Sequence, residues 1–260
     1  MGLFSGKKQS TAVINVSMSP SKSVKLIRQN GPAVSRETVS SSGGVDLTKK
    51  FDKAGISLSK RGLDGVRAQA VLVLDYSGSM STDYSNGTVQ TLVERALGFA
   101  LQIDADGKIP VIPFASSVLP IVEVTLANYQ GVVQREVMKH QMGSTNLTDA
   151  LQLVRHMSDQ SEEPIFCIVV TDGYPDNARS CKQLVIQLAG YPVFIKFLGI
   201  REVQFLHELD DLPDTERLLD NVDAQILDNP AGMTDLAFAD AMTEEWDSWI
   251  QLATRAGVLM

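Results

Sequence analysis

Two cysteines and three histidines are all that 260 residues contain. So few cysteines argue against a disulfide-stapled scaffold. Cys167 falls inside an apolar strand and reads as a small buried hydrophobe, and Cys181 falls on the helix that follows. His140, His156 and His207 stand apart, with no H-E-x-x-H pair among them. No run of 18 apolar residues occurs, so no membrane-spanning helix is expected. The opening Met1-Gly2-Leu3-Phe4-Ser5-Gly6-Lys7-Lys8 lacks the apolar core of a secretory signal. It also misses the myristoylation pattern, because Gly6 stands where Ser or Thr is required. A reducing cytoplasm is the expected compartment. Nor is there a G-x-x-x-x-G-K-[ST] phosphate loop, a D-x-D-x-T or a G-x-S-x-G elbow. Phosphoryl transfer and hydrolysis therefore lose their usual signatures.

Charge is unevenly spread. Residues 1–50 hold eight Lys and Arg against Glu37 and Asp46, a local +6 in a chain of net −8, which leaves −14 for residues 51–260. An acidic body argues against nucleic acid as a partner, since phosphate neutralisation needs a basic face. The basic end can meet nucleic acid, a membrane surface peripherally, the acidic body itself, or nothing but solvent, the last being the simplest reading.

With 44% apolar residues the chain can bury one large core plus an appendage. Residues 1–44 are Ser-, Lys- and Gly-rich and read as a flexible segment that adds little stability, although Thr11–Val16 has strand character. In residues 45–65, Val45-Asp46-Leu47-Thr48-Lys49 and Ile56-Ser57-Leu58-Ser59-Lys60 alternate with period two and predict short strands. Residues 66–260 then alternate strand and helix. Strands are expected at 69–75, 109–114, 165–171, 193–199 and 222–227, with an antiparallel edge strand at 118–124. Helices are expected at 88–104, 128–138, 146–158, 178–189 and 234–252. Such alternation predicts an α/β fold, a doubly wound, mostly parallel sheet with helices on both faces. Trp246 and Trp249, three apart on the last helix, are expected to pack it on the sheet.

Asp75-Tyr76-Ser77-Gly78-Ser79 follows the apolar run Ala70–Leu74. A D-x-S-x-S spacing at the tip of a buried strand offers a carboxylate and two hydroxyls where open α/β sheets bind ligands. Taken alone it is also ordinary turn chemistry. Two further pieces join it. Gly143-Ser144-Thr145 brings a hydroxyl to a helix start, and Thr171-Asp172-Gly173 ends the strand Ile165–Val170. All donors are oxygen, which suits a hard divalent cation, Mg²⁺ first, with Mn²⁺ and Ca²⁺ as alternatives. Asp83, Asp176 and Asp210-Asp211 offer a second ion site as one reading, and loop and cap carboxylates as the commoner one.

The order D-x-S-x-S, T, D-G resembles the metal-ion-dependent adhesion site of von Willebrand factor type A domains. Carried over by position, Ser77, Ser79 and Thr145 match its hydroxyls, and Asp75 and Asp172 its carboxylates. A closer resemblance covers about residues 66–255. Asn86–Gln90, Asp104–Ile109, Leu126–Gly131, Phe197–Ile200, Phe205–Leu212 and Leu219–Asp223 are similar to the TerF-type subgroup of bacterial tellurite-resistance and stress clusters. Residues 45–60 look like the opening of a TerD-type domain, without its acidic calcium loops. The resemblance implies a non-enzymatic clasp, in which a carboxylate from a protein partner completes the shell of the ion. It also implies partners among other tellurite-resistance proteins, and a movement of the Thr-bearing loop and last helix on binding. The resemblance also implies, as an alternative, an adaptor for an AAA+ ATPase; a metal-dependent phosphatase or nuclease is the third reading and lacks a nucleophile and base.

Overall fold

The computed structural model describes residues 19–227 and 229–260. Its strands are β1 (Gln69–Asp75), β2 (Lys108–Phe114), β3 (Val122–Thr125), β4 (Ile165–Thr171), β5 (Val193–Gly199) and β6 (Val222–Ile226). They form one sheet in the order β3-β2-β1-β4-β5-β6, parallel throughout except for the antiparallel β2–β3 pair, where Ile109 faces Val124. Every position of β4 and β5 is buried, as expected when both faces of a sheet are covered; in β5 this includes Lys196, which is paired with Asp223.

The helices are α1 (Arg36–Ser42), α2 (Gly44–Lys60), α3 (Ser81–Ser85), α4 (Thr88–Ile103), α5 (Leu147–Gln160), α6 (Ala178–Leu188), α7 (Gln204–Asp210), α8 (Asp235–Thr243) and α9 (Trp246–Arg255). Side-chain alternation divides them into two layers. Leu72, Leu74, Phe166 and Phe194 share a core with α2, α4, α8 and α9. Val71, Val73, Cys167 and Phe197 share the other with α5, α6 and α7. Trp246 meets Phe166 edge-on at 4.8 Å between ring centres, and Trp249 lies 5.7 Å from Phe194, so the tryptophans do pack the last helix on the sheet. The α/β architecture expected from the sequence is the one observed. Connections leave in opposite directions on either side of the β1–β4 pair. A crevice at such a reversal, outside the carboxyl ends of the strands, is where open α/β sheets hold ligands.

Four expectations need correction. Residues 45–60 are a helix, not two strands. In a strand Val45 and Leu47 would share a face, yet Val45 is 75% exposed and Leu47 is 1% exposed. The buried set Leu47, Phe51, Ala54 and Leu58 instead has helical spacing, and this face packs on α4 and α8. Gly98 admits the crossing: a Cβ there would lie 2.9 Å from Lys50 Cβ and 3.1 Å from the Phe51 nitrogen.

Residues 19–44 are bound to the body. Backbone hydrogen bonds run from Ser21 to Gly190 (2.7 Å), Val24 to Val258 (3.1 Å), Gln29 to Gly65 (2.8 Å) and Val34 to Leu101 (2.9 Å). Val24 and Val39 are buried. Gly65 and Gly190 shortly precede β1 and β5, so this strap runs along the edge where strands begin, opposite Asp75 and Thr171. The expected strand at Thr11–Val16 lies outside the described residues.

The expected helix at 128–138 is one wide turn, Val133–Val137, closed from Met138 N to Val133 O (2.9 Å). The expected helix at 234–252 is broken between α8 and α9, where Glu245 has a left-handed φ of 60°. Phe238, Met242, Trp246 and Trp249 keep one helical period across the break, so the apolar pattern conceals it. Among the described residues no helix is long and apolar enough to cross a membrane.

Candidate metal centre

β1 ends in Asp75, after which the chain turns through Ser77 and a tight helical turn, Gly78–Met80, into α3. Fully buried Met80 anchors this loop from below. Tyr76 and Tyr84 pack edge to face at 4.7 Å, and the Tyr84 hydroxyl donates to the Asp75 carbonyl at 2.8 Å. A second loop is zipped to the first: Gly78 N donates to Gly143 O (3.0 Å) and Gly143 N to Tyr76 O (3.4 Å). Only glycine fits at 143, since a Cβ would stand 2.5 Å from Ser116 Oγ and 2.9 Å from Ser116 N.

The Asp75 carboxylate is wholly buried. One oxygen accepts from Ser77 N (2.8 Å) and the other from the Thr171 hydroxyl (2.6 Å). Burial pushes its pKa above the usual carboxylate range, the two donors pull it back, and the charge of Asp172 raises it again. Ser77 Oγ and Ser79 Oγ are 3.1 Å apart, and Ser79 Oγ donates to Asp172 Oδ1 at 2.7 Å. Asp172 Oδ2 pairs with Arg201, whose other terminal nitrogen lies 2.5 Å from Asp83 Oδ2.

Thr145 is placed by Asp176. Its backbone N–H donates to Asp176 Oδ1 (3.1 Å), and neighbouring Ser144 donates to Oδ2 (2.6 Å). In return Asp176 N donates to Thr145 O (2.9 Å). Asn146 caps α5 immediately afterwards. Thr145 is 8% exposed, and its hydroxyl has no hydrogen-bond partner among the described residues. It lies against Gly173, 3.9 Å from where a Cβ would stand, and so beside Asp172.

The structure thus gathers Asp75, Ser77, Ser79, Thr145 and Asp172 from three loops at the β1–β4 crevice. Three hydroxyls and two carboxylates form an oxygen-only donor set that fits a hard divalent cation. A cation already stands at Asp172, in the guanidinium of Arg201.

Several supporting groups escaped the sequence. Thr171 and Asp176 carried a signal, being one residue before and four after Asp172 in the same tip. Arg201 carried none beyond its place at the end of β5, the strand next to β4. His207 pairs with Glu202 (2.8 Å), and Asp210 belongs to a different cluster. There, oxygens of Asp210, Asp223 and Glu245 lie within 4.8 Å of one another, with buried Lys196 paired to Asp223. Asp210 also caps the Ala224 N–H at 3.1 Å.

The profile of vWA domains found in the TerF C terminus matches residues 67–259. YcbR of Bacillus subtilis (strain 168) is 31% identical over 224 residues, spanning 83% of this chain and 90% of that protein. Among solved structures, manganese-loaded TRAP protein of Plasmodium vivax superposes with a TM-score of 0.47 at 18% identity, covering 68% of this chain and 72% of that one. The ArnB paralog VWA2 of Sulfolobus acidocaldarius gives 0.39 at 18% identity, covering 63% and 42%. On the profile match and the extent of the YcbR likeness, the chain belongs to the von Willebrand factor type A family, in its TerF-like branch.

Proposed function

We propose that this domain is a metal-dependent protein-interaction module, without catalysis of its own, working in a tellurite-resistance or stress-response complex. Ser77, Ser79 and Thr145 would hold a divalent cation, Mg²⁺ or Mn²⁺, through neutral hydroxyls, and Asp75 and Asp172 would supply the negative charge. When bound, such an ion contributes a Lewis-acidic site for the carboxylate of an Asp or Glu from a protein partner. Neutral direct donors, with the two carboxylates acting mainly through bound water, would suit this role because they leave much of the ion's charge for the incoming group. Asp75 is held from behind by Ser77 N and Thr171, so its position does not depend on the ion. Residues 45–60, being helical, add no TerD-type strand module to the proposal.

The observation that carries the reading is the convergence of five oxygen-bearing side chains from three separate loops onto one crevice. The test begins with capture of partners from host extract on the immobilised protein in Mg²⁺ or Mn²⁺, followed by release with EDTA. Asp75→Ala and Asp172→Ala should both lose the EDTA-releasable partner, and calorimetry should show their Mn²⁺ affinity reduced at least tenfold. Unchanged affinity in both variants would refute the site.

A further inference from the structure

Arg201 stands two residues beyond the end of β5 and reaches back across the tip of β4. Its guanidinium pairs with Asp172 and with Asp83, the latter on α3 just past the Ser77–Ser79 loop. The Asp172 side chain is 1% exposed and Asp83 14% exposed, whereas Arg201 is 44% exposed. The two oxygens of Asp172 therefore serve different neighbours. Oδ1 faces the hydroxyl of Ser79, within the donor set, and Oδ2 faces Arg201. A fixed positive charge is thus attached to one of the two carboxylates of the donor set.

We propose, building on the metal-site reading above, that Arg201 tunes the centre by holding its divalent-cation affinity down. The guanidinium draws on the same carboxylate charge that would hold the ion. It also repels a dication placed across that carboxylate. The same withdrawal leaves the ion more attractive to an incoming acidic group. A competing effect has the opposite sign: Arg201 also fixes the orientation of Asp172, which favours binding. Magnitudes decide between them. The half-exposed guanidinium is a loose restraint, and Asp172, itself buried, is also held by Ser79 Oγ at 2.7 Å, so its orientation does not rest on Arg201 alone. A unit charge facing a double charge across one carboxylate, even at the dielectric of water, changes affinity by about tenfold. Repulsion is the larger effect, so removing the charge should tighten binding.

The experiment titrates the full chain with Mn²⁺ and counts free ion by electron paramagnetic resonance, for wild type, Arg201→Gln and Arg201→Lys. Melting in EDTA serves as the folding control: Arg201→Lys should melt close to wild type, and Arg201→Gln, which leaves the buried Asp172 carboxylate without its cation, should melt lower but still in one cooperative transition. Arg201→Gln should bind Mn²⁺ about tenfold more tightly. Arg201→Lys, which keeps the charge, should stay within about threefold of wild type. Binding by Arg201→Gln where wild type shows none measurable would equally support the proposal. Wild-type binding with an unchanged or weaker Arg201→Gln overturns the role of Arg201 and leaves the metal site standing. Absence of binding in all three overturns both.

Discussion

Lys22 offers the sharpest test of how the N-terminal strap is held. Its ammonium donates to three carbonyls at the end of α5: Ser158 O, Asp159 O (2.8 Å) and Ser161 O (2.6 Å). These are carbonyls that a helix end leaves without partners, at the end where a cation is favoured. Lys22→Met keeps most of the aliphatic stem and removes only the charged head. Hydrogen bonds to a charged group contribute about 1.5–3 kcal/mol, and partial exposure here reduces that, so a loss of about 1–2 kcal/mol is expected. For a domain of this size that lowers the melting temperature by roughly 3–6 °C. Lys25→Met, at an exposed neighbour on the same strap, provides the control and should shift it by less than about 1 °C. Thermal melts followed by circular dichroism, with urea titrations to verify an unchanged m-value, would measure both. If the two variants melt alike, the strap is not anchored at α5 and residues 19–34 behave as the flexible segment their composition suggests.

Two further outcomes follow from packing and charge. Gly98→Ala should gain about 1 kcal/mol from helix propensity. It should lose about 1–3 kcal/mol by driving α4 into the backbone of α2, so a net destabilisation in urea is expected, and a stabilised variant would show the crossing to be looser than described. Partial desolvation, with the charges of Asp223, Asp210 and Asp220, pushes the Glu245 carboxyl from 4.5 up to about 7, against the pull of Lys196. The folded chain then keeps a proton that the unfolded chain releases. The resulting stability is complete below about pH 4.5 and is lost as the pH rises through about 7. Glu245→Gln should therefore have a flatter melting profile between pH 5.5 and 8 and be the more stable protein at pH 8. A less stable Gln variant at that pH would contradict the repulsion.

Strand periodicity and the D-x-S-x-S, T, D-G pattern of the candidate site are legible in the sequence because both depend on local spacing. β1 and β4 are apolar runs that end in a carboxylate and a hydroxyl, and β5 is one interrupted by Lys196 that ends in a glycine. The topology rule for parallel sheets then brings Asp75 and Asp172 together without further information. Residues 45–60 misled for an identifiable reason. Val45, Leu47, Ile56 and Leu58 satisfy period two over short windows, whereas Leu47, Phe51, Ala54 and Leu58 satisfy the helical period only when the whole 17-residue span is read. The break at Glu245 has no Gly or Pro to mark it. Arg201 and Asp83 join the site through contacts 118 residues apart in sequence, which no spacing can announce. The basic end was ambiguous on composition, and the structure assigns much of it to the acidic body. Lys22 binds α5, Arg28 donates to Gly62 O (3.0 Å), and Arg36 pairs with both oxygens of Asp52 at 2.8 Å.

Helix α5 connects the two ends of the molecule, and this lets stability and metal binding be separated. Its first residues carry the Thr145 loop, through the cap at Asn146, while its last carbonyls receive Lys22. Fourteen residues of helix span about 21 Å. At physiological salt a charge is screened within about 8 Å, so Lys22 exerts no direct field at the candidate centre. Any influence of Lys22→Met on Mn²⁺ affinity would have to travel as a displacement of α5 itself. The other tethers of the Thr145 loop oppose that displacement: Asp176 grips Ser144 and Thr145, and Gly143 is zipped to the Ser77 loop. Lys22→Met should consequently lower the melting temperature while leaving Mn²⁺ affinity within twofold of wild type. A parallel loss of both would mean that the hydroxyl of Thr145 is positioned by the far end of its helix and not by the loops around it.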